Sequence, residues 1–562
     1  MTVAQLFDIN SDELFDVAIV GYGPVGATLA NLLGQFGWRT VVFERDTDIY
    51  PVPRAVHMDD EALRILQAAG VMGDIQPALG GYPKHRQYLN AKGNVFFETF
   101  RNDQAPFGYP SNTYFHQPLL EKGLRQGVDR FDHVQVCLGV EVLNVEPARG
   151  TNIPATVTVQ TTIKDKDSSS GQTINVQAKF VIGCDGGRSV VRKSLGIVLD
   201  DLKFEQPWLV TDFYLKEGVT LADTGLIYAH QQHCNPQQPM SFIPTSVKSH
   251  YRWEFMLLDG QTKEEVEQPD YVRQMLSLVV DPERIDLVRA AVYTFHSLIA
   301  TQWRVGNCFI AGDAAHQMPP FAGQGMCSGF RDVQNLAWKL DLVLTGRLSA
   351  AATETLLDTY QMERLPHVTR MTRGTMFLGN LVQTRSPMRA FIRDLLFKTV
   401  LRIPRIFGRL AHFALRSPNL KAGILSSIKR SDTAKGTYFI QPEVQTNDTV
   451  ALLDDVLGVG FALLWIGDTL DTAILQAIQA HNLSTAVSLH CIHIRQSMDN
   501  SGDNSPLITT LCDHTGKLGA WFETHQVDTV LIRPDRYVFG VYTLGTGKQS
   551  IEDILTDLSG AI

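Results

Sequence analysis

The feature that most constrains this chain is a glycine-rich turn close to its beginning. Residues 15–20, FDVAIV, are short, apolar and β-branched, which predicts a buried strand. Residues 21–26, GYGPVG, match G-x-G-x-x-G, and the residues after them continue with helical spacing. Gly21 permits a tight turn, Gly23 lets the backbone approach a phosphate, and Gly26 lets helix and strand pack closely. The pattern predicts a β-α-β unit that binds a dinucleotide at the N-terminus of a helix.

Three further segments support a dinucleotide site. Residues 40–44, TVVFE, predict the second strand, and Glu44 ends it near the distance of about 20 residues at which this motif places a ribose-binding carboxylate. Residues 183–192, GCDGGRSVVR, and residues 312–326, GDAAHQMPPFAGQGM, each follow an apolar run. No second G-x-G-x-x-G stands between a strand and a helix, which disfavours two separate dinucleotide domains.

Taken together, these segments resemble one family, the flavoprotein aromatic hydroxylases with the p-hydroxybenzoate hydroxylase fold. That family has an N-terminal G-x-G-x-x-G, a central D-G segment and a later G-D segment followed by P-x-x-G-x-G, and all three stand here in that order. The resemblance implies FAD as bound cofactor, NADH as reductant, with NADPH possible, and O₂ as co-substrate. It also implies that a C4a-hydroperoxyflavin delivers one oxygen atom ortho to a phenolic hydroxyl.

The resemblance assigns roles to individual residues. Glu44 is similar to the family's ribose ligand, Asp313 to the carboxylate that holds the ribityl chain, and residues 323–326 to the turn beside the isoalloxazine ring. Asp185 and Arg188 resemble a central motif that serves both FAD and NAD(P)H. The implied cofactor-binding residues are Gly21, Gly23, Pro24, Val25, Gly26, Glu44, Arg45, Arg54, Gln117, Asp185, Arg188, Gly312, Asp313, Ala314, Pro320, Gly323, Gln324, Gly325 and Met326.

Three of the residues in these segments have two interpretations. Arg54 and Gln117 resemble FAD contacts, which is the favoured interpretation for both. The alternatives are a surface arginine and a glutamine at the start of a helix. His316 stands close to Asp313, which invites a catalytic role, and a structural histidine that fills its turn is the favoured interpretation.

Other segments narrow the resemblance to 3-(3-hydroxyphenyl)propionate hydroxylases and their relatives. They are residues 53–64, PRAVHMDDEALR, residues 251–257, YRWEFML, and residues 531–535 with 537–538, LIRPD and YV. The similarity covers most of the chain and is weakest at 385–440. It implies a phenolic substrate that carries a carboxylate, converted to 2,3-dihydroxyphenylpropionate in aromatic catabolism.

The pattern along the chain predicts an α/β protein in several parts. We expect a Rossmann-like FAD-binding domain whose first part spans 1–199, with a β ribbon near 138–180, and whose second part, with helices, spans 301–400. Residues 200–300 predict an inserted, mainly β substrate domain, and 401–440 a linker or helical region. Residues 441–562 resemble a thioredoxin-like domain without the C-x-x-C pair, for which a structural or dimer-forming role is expected.

Composition limits the partners. The net charge of −9 disfavours nucleic acid and anionic membranes, because both select basic surfaces. Seven cysteines without a C-x-x-C pair disfavour a disulfide framework or a zinc site. The acidic start of the chain does not resemble a signal peptide, and no apolar run approaches the ~18 residues of a membrane span. We expect a cytoplasmic protein that forms a homodimer, with no metal.

The strand-rich region 200–300 is the predicted substrate pocket. A phenol needs a base or hydrogen-bond partner to move toward phenolate, and a substrate carboxylate needs a cation. The sequence offers Tyr228 and His230 for the phenol, with Arg252 for the carboxylate or, equally, for a salt bridge within the sheet. Further candidates for the phenol are His233, Tyr114 and His116. Each of the five candidates for the phenol is of a type that is more often a packed or surface residue.

Three competing functions stay open on the sequence alone. A hydroxylase or epoxidase of a larger phenol or polyketide would share the same fold. A non-catalytic flavin-binding carrier is disfavoured, because it has no need of the loop at 319–326. A plain oxidase or dehydrogenase would reduce its flavin without oxygenating a substrate.

Overall fold

The fold is taken from a computed structural model of the chain. It describes residues 13–81, 83–100, 106–148, 153–162, 173–245, 250–399, 418–428, 434–446, 449–467, 478–481, 487–495, 508–544 and 549–562. The polar residues 164–172, KDKDSSSGQ, predict a hairpin, and residues 471–482, DTAILQAIQAHN, predict a helix. The hairpin and most of the helix lie outside the described residues.

Two of the helices are much longer than the others, at 33 and 21 residues. In chain order the helices are α1 Pro24–Phe36, α2 Asp60–Ala68, α3 Met72–Ile75, α4 Gln117–Val128, α5 Val190–Ser194, α6 Lys263–Val266, α7 Pro269–Ser277, α8 Gln324–Leu344, α9 Ala350–Val382, α10 Pro387–Thr399, α11 Leu453–Leu457, α12 Lys517–His525 and α13 Ile551–Ala561. Asp59 begins α2, because its side chain accepts a hydrogen bond from the amide of Ala62 and two acidic residues follow in the first turn.

The strands fall into three large sheets and one small one. In chain order they are β1 Leu14–Val20, β2 Thr40–Glu44, β3 His57–Met58, β4 Leu79–Gly80, β5 His85–Leu89, β6 Val95–Phe100, β7 Thr113–Phe115, β8 Val134–Leu138, β9 Val140–Glu146, β10 Ala155–Thr161, β11 Thr173–Gly183, β12 Leu199–Leu215, β13 His230–His233, β14 Met240–Pro244, β15 His250–Met256, β16 Ile285–Ala300, β17 Arg304–Val305, β18 Cys308–Ile310, β19 His316–Gln317, β20 Glu443–Thr446, β21 Thr449–Leu452, β22 Phe461–Ile466, β23 Leu489–Arg495, β24 Ile508–Cys512, β25 Thr529–Ile532 and β26 Val538–Tyr542.

The first sheet carries the predicted β-α-β unit. Its order is β17-β18-β11-β1-β2-β8, and β1 runs parallel to both β2 and β11. The central strands are apolar on both faces because helices cover them, so Val17, Ala18 and Ile19 are fully buried. The ribbon β9-β10 joins through β11, as the alternation near 138–180 predicts. This parallel sheet and its helices agree with the predicted α/β fold class.

The second sheet lies beside the first and is mostly antiparallel. Its order is β19-β16-β12-β15-β14-β13-β5-β6. It extends beyond the predicted range 200–300, because β5 and β6 join its edge through a parallel pairing of β5 with β13. Residues 226–230, LIYAH, predict a strand within this region, and that prediction was wrong in part. β13 begins only at His230, after a turn in which Gly225 has φ +73°.

The C-terminal region, residues 434–562, has its own sheet. The order is β21-β20-β24-β23-β22-β25-β26, with β22, β23 and β24 parallel and β25 and β26 antiparallel to their neighbours. A separate apolar core that includes Leu464, Ile492 and Phe522 lies within this region. Its likeness to thioredoxin stays a prediction.

Candidate active site

The glycine-rich turn leaves open space where its middle glycine stands. Gly21 has φ +97°, and a Cβ there would lie 2.6 Å from the carbonyl oxygen of Cys184. A Cβ on Gly26 would lie 2.0 Å from the carbonyl oxygen of Gly21, so close packing requires this glycine. A Cβ on Gly23 would meet nothing within 4 Å, and Gly23 precedes α1 without a side-chain cap. The first amides of α1 therefore face space that suits a phosphate group.

Glu44 ends β2 with its carboxylate fixed beside this turn. Its Oε2 accepts a hydrogen bond from the amide of Tyr22 at 2.8 Å, and its Oε1 accepts one from the amide of Asp46 at 3.0 Å. Glu44 lines the same cavity as Gly21 and Gly23, and Arg45 lies exposed at the rim. The carboxylate is therefore oriented as a ribose hydroxyl would require.

Gln117 fixes the loop that carries Arg54. Its Oε1 accepts hydrogen bonds from the amides of Arg54 at 2.9 Å and Ala55 at 2.8 Å, while its Nε2 donates to Glu121 at 2.8 Å. The guanidinium of Arg54 lies 4.9 Å from the ring centroid of Tyr50. Arg54 and Gln117 both line the cavity, so the structure places them beside the predicted cofactor site.

Arg252, on the second sheet, forms hydrogen bonds to the same loop. Its Nε donates to Asp212 at 2.9 Å, and its Nη1 and Nη2 donate to the carbonyl oxygens of Arg54 at 2.9 Å and Pro53 at 2.6 Å. Arg289 adds a bond from Nη2 to Asp212 at 2.5 Å. Of the two interpretations of Arg252, the structure shows the salt bridge, and its donors are directed at protein acceptors and not at a substrate carboxylate.

The central motif places the carboxylate of Asp185 beside the cavity. Oδ2 of Asp185 accepts hydrogen bonds from the amides of Val190 at 2.6 Å and Val191 at 3.1 Å. Oδ1 is buried and has no partner among the described residues, and burial raises the pKa of this group. An oxygen held in this way is suited to a cofactor hydroxyl. Arg188 lies exposed at the cavity rim.

A buried carboxylate that the sequence analysis missed supports the Gly312–Asp313 turn. Oδ2 of Asp332 accepts a hydrogen bond from the amide of Gly312 at 3.1 Å and lies 2.7 Å from Nε2 of His316, while Oδ1 accepts one from Arg364 at 2.9 Å. His316 is fully buried, which agrees with its predicted structural role. Asp313 lines the cavity and is exposed to it.

The segment Pro320–Met326, here called the flavin loop, leads into α8. Gly323 has φ +64°, and a Cβ there would lie 2.4 Å from Nδ1 of His57. A Cβ on Gly325 would meet nothing within 4 Å, and no side chain caps the first turn of α8. The loop therefore presents glycine backbone and helix amides to the cavity, where they can support negative charge.

One face of the second sheet forms the other end of the cavity. Alternate residues of six strands point the same way, as the pleat requires. Those that line the cavity are Arg86, Tyr88, Trp208, Val210, His230, Gln232, Ser241, Ile243, Arg252, Glu254, Tyr293 and Phe295. Arg86 and Glu254 were not predicted, because an alternating pattern alone does not show which face of a strand meets the cavity.

A chain of hydrogen bonds crosses this face. The hydroxyl of Tyr114 lies 2.8 Å from Nδ1 of His230, and Nε2 of Gln232 lies 2.8 Å from Nε2 of His230 and 2.9 Å from Oγ of Ser241. Burial, with the positive charge of Arg86, holds the pKa of His230 well below its ordinary value. The imidazole is therefore neutral.

The other candidates for the phenol lie elsewhere. Tyr228 is 50% exposed, its hydroxyl donates to the carbonyl oxygen of Gly81 at 3.0 Å, and it does not line the cavity. His233 packs against Trp253 at a centroid distance of 5.2 Å, and His116 lies 6.4 Å from the ring of His250. Tyr114 and His230 are thus the members of the predicted set that the structure brings to the cavity.

One cavity of about 1750 Å³ joins the glycine-rich turns to the sheet face. Every predicted cofactor residue lines it except Gly26, Gly312 and Ala314, which are buried. Among the described residues no cluster of histidine, cysteine or acidic side chains is suited to a metal ion. No helix in the described part of the chain is long and apolar enough to cross a membrane.

Comparison with known proteins decides the family. Residues 15–375 match the FAD binding domain family, and residues 436–557 match the HcaD C-terminal domain family. The chain belongs to the FAD-binding hydroxylase family. A 3-(3-hydroxy-phenyl)propionate/3-hydroxycinnamic acid hydroxylase of Mycobacterium avium (strain 104) is 34% identical to this hydroxylase over 94% of the chain and 90% of the relative. A protein of Rhodococcus jostii (strain RHA1) named "Probable NADH-specific resorcinol 4-hydroxylase" is 35% identical, over 94% and 92%.

Solved structures share the fold of this hydroxylase. The flavin-dependent monooxygenase PieE, solved with FAD and substrate, superposes with a TM-score of 0.77 at 21% identity and covers 98% of this chain and 99% of its own. Aklavinone-11 hydroxylase, solved with FAD and aklavinone, gives 0.75 at 19% identity, with 97% and 98% covered. The open space at Gly23, the free oxygen of Asp185 and the uncapped start of α8 fit FAD.

Proposed function

We propose that this hydroxylase uses NADH and O₂ to add one hydroxyl ortho to the phenolic hydroxyl of 3-(3-hydroxyphenyl)propionate, giving 2,3-dihydroxyphenylpropionate. The observation that carries the proposal is one continuous cavity, which joins the residues predicted to bind FAD to the Tyr114–His230 pair. Relatives that are 34–35% identical to the chain are named as hydroxylases of this substrate, which supports the substrate assignment. Another relative is named as NADH-specific, which supports NADH as the reductant.

We propose that FAD lies along the cavity from Glu44 to the flavin loop. Glu44 holds a ribose, Gly23 and the start of α1 hold the pyrophosphate, and Asp313 holds the ribityl chain. When bound, FAD accepts a hydride from NADH and, with O₂, supplies the oxygen atom. The flavin loop then holds the ring at the end of the cavity that the second sheet closes.

Tyr114 is the proposed partner of the phenol. With Nε2 of Gln232 as the donor to Nε2 of His230, Nδ1 of the neutral imidazole carries the proton and donates to the Tyr114 oxygen. The Tyr114 hydroxyl proton is then directed away from His230. A hydrogen bond from that proton to the substrate oxygen favours the phenolate, which makes the ortho carbon more nucleophilic. Gln232 and Ser241 keep the imidazole in the required tautomer.

Arg86 is the proposed cation for the substrate carboxylate, in place of Arg252. It stands opposite His230 in the sheet register and lines the cavity. Its Nη2 donates to the carbonyl oxygen of Phe321 at 2.9 Å, and its guanidinium lies 5.5 Å from the ring centroid of Tyr88. These contacts fix the guanidinium between the flavin loop and the phenol site, where it can form a charge-assisted hydrogen bond.

A substrate and cofactor panel tests the proposal. The purified holoenzyme is given 3-(3-hydroxyphenyl)propionate, 3-hydroxycinnamate, resorcinol or aklavinone, each with NADH or NADPH, and products are identified by NMR. We expect the highest kcat/KM with NADH and 3-(3-hydroxyphenyl)propionate and a catechol as its product. Turnover of aklavinone alone, or a para-hydroxylated product, would overturn the assignment.

A further inference from the structure

The C-terminal region forms part of the cavity wall. Thr437, Tyr438 and His525 line the cavity together with residues of the FAD-binding part of the chain. The amide of Gln441 donates to the carbonyl oxygen of Pro106 at 2.8 Å, which ties this region to a segment that also lines the cavity. The region is therefore positioned to influence the site directly.

A buried arginine of α2 is held by the C-terminal region. Nε and Nη2 of Arg64 donate to the two carboxylate oxygens of Asp454 at 2.6 and 2.7 Å, and Nη1 donates to the carbonyl oxygen of Phe439. The ring centroid of Tyr438 lies 4.8 Å from the guanidinium. Arg64 is 0% exposed, so this bidentate pair is shielded from water and fixes the helix in both position and rotation.

The first turn of α2, one turn before Arg64, holds the flavin loop. Oδ2 of Asp59, the residue that caps α2, accepts hydrogen bonds from Gln324 at 2.9 Å and Arg331 at 2.6 Å. Glu61 accepts a further bond from Nε of Arg331 at 2.5 Å. Gln324 is the first residue of α8 and a member of the flavin loop. Five residues of α2, a rise of roughly 8 Å, thus separate Arg64, which binds Asp454, from Asp59, which binds the loop.

A second contact holds α8 itself. Oδ2 of Asp535 in the C-terminal region accepts hydrogen bonds from Asn335 at 3.0 Å and Trp338 at 3.2 Å, both on α8. Arg533 binds Asp535 and also Glu363 of α9, and all of these groups are buried. The C-terminal region therefore holds both helices that reach the flavin loop.

We propose that the C-terminal region braces the flavin loop, with Asp454 as a positioning residue that acts through Arg64 and α2. This inference rests on the proposed place of the flavin ring beside Gly323–Met326. Charge stabilisation by backbone amides requires those amides to keep their places relative to the ring, because a shift of about 1 Å costs much of the effect. Loss of the Asp454 charge releases the middle of α2, one turn from Asp59, and so loosens the loop.

The test compares Asp454→Asn with Asp455→Asn in the full-length protein. Asp455 is a matched control, because it neighbours Asp454 and accepts a bond from Gln67 of the same helix at 2.7 Å, but is exposed. The readouts are the FAD dissociation constant, the visible flavin spectrum and the share of NADH electrons that appears as H₂O₂ with 3-(3-hydroxyphenyl)propionate. We expect Asp454→Asn to raise the dissociation constant and the H₂O₂ share at least about fivefold and Asp455→Asn to leave both unchanged.

A second pair of variants separates bracing from general stability. Glu61→Gln breaks the link between α2 and Arg331, so its effect and that of Asp454→Asn are expected to be less than additive in the double variant. If Asp454→Asn does not fold, Arg64→Lys, which keeps the charge but not the bidentate pair, takes its place in the same measurements. A lower Tm with an unchanged FAD dissociation constant, spectrum and H₂O₂ share would overturn the inference.

Failure of the inference and failure of the proposed function give different results. FAD affinity and the flavin spectrum do not depend on which phenol is hydroxylated. Their response to Asp454→Asn would support bracing even if no phenol in the panel were a substrate. Normal hydroxylation in the wild type with no response to Asp454→Asn or Arg64→Lys would overturn bracing alone.

Discussion

Nδ1 of His230 lies 2.8 Å from the hydroxyl oxygen of Tyr114, although 116 positions separate the two residues in the chain. β7 carries Tyr114 and β13 carries His230, and these strands belong to different sheets. Tyr114 is 0% exposed and His230 9% exposed, so the pair is held in surroundings where a hydrogen bond to a phenol has a large effect.

The first prediction concerns this pair. Tyr114→Phe removes the donor to the phenol and is expected to lower the rate of hydroxylation by about 10²-fold with FAD affinity unchanged. Stopped-flow kinetics and FAD titration measure the two quantities. Tyr228→Phe is the control, because Tyr228 is half exposed and away from the cavity. Equal rates for the two variants would contradict the role of Tyr114.

The second prediction concerns the substrate carboxylate. Arg86→Gln is expected to raise the KM for 3-(3-hydroxyphenyl)propionate about tenfold or more, because a hydrogen bond to a charged group contributes ~1.5–3 kcal/mol. Resorcinol has no carboxylate, so its KM should stay within about twofold, well under the ~1.4 kcal/mol of a tenfold change. Lys84→Gln, an exposed change two positions away, is the control. An equal rise in KM for both substrates would contradict the carboxylate role. It would mean that Arg86 only supports the flavin loop through its hydrogen bond to the carbonyl oxygen of Phe321.

The third prediction contrasts two glycines of the first turn. A Cβ on Gly23 meets open space, so Gly23→Ala should leave the Tm of the apoprotein unchanged and weaken FAD binding at least about tenfold, or ~1.4 kcal/mol. A Cβ on Gly26 lies 2.0 Å from a carbonyl oxygen, so Gly26→Ala should destabilise the apoprotein by ~1–3 kcal/mol. Calorimetry and FAD titration check both. Strong FAD binding by Gly23→Ala would show that the pyrophosphate lies elsewhere.

The fourth prediction concerns Glu254, which lines the substrate end of the cavity. Burial raises the pKa of its carboxyl to about 6, even though Arg252 lies close by. A carboxyl with a raised pKa favours folding while it is protonated, and that contribution is lost as the pH rises through about 6. Glu254→Gln should therefore gain ~1 kcal/mol in the free energy of unfolding relative to wild type between pH 5 and pH 8. Urea unfolding of both proteins at pH 5 and pH 8 measures this gain. A difference in unfolding free energy between variant and wild type that is the same at both pH values would contradict the raised pKa of Glu254.

The local motifs made much of the cofactor site predictable. Some positions admit only glycine, because they lie against backbone, as Gly26 does, or take a positive φ, as Gly323 does. Such positions are recognisable in the sequence as parts of glycine motifs. The strand and helix around each motif follow from apolar periodicity. Most of the residues predicted from these motifs line one cavity. The exceptions are Gly26, Gly312 and Ala314, which are buried.

The substrate end was less predictable because it depends on pairings between distant strands. Tyr228 stands two positions before His230, yet a turn removes it from the sheet. Arg252 points at the cavity, but the carbonyl groups of Pro53 and Arg54, some 200 positions earlier in the chain, occupy its donors. Asp332 and Arg364 support the Gly312–Asp313 turn from helices α8 and α9, and neither residue belongs to a recognisable sequence motif. They were therefore not predicted.

The most direct test of the account is hydroxylation under ¹⁸O₂. The holoenzyme is given NADH, 3-(3-hydroxyphenyl)propionate and ¹⁸O₂, and the product is analysed by mass spectrometry and NMR. The account predicts 2,3-dihydroxyphenylpropionate that carries one ¹⁸O atom, with one NADH consumed for each product molecule. NADH oxidation that yields only H₂O₂ and unchanged substrate would contradict it.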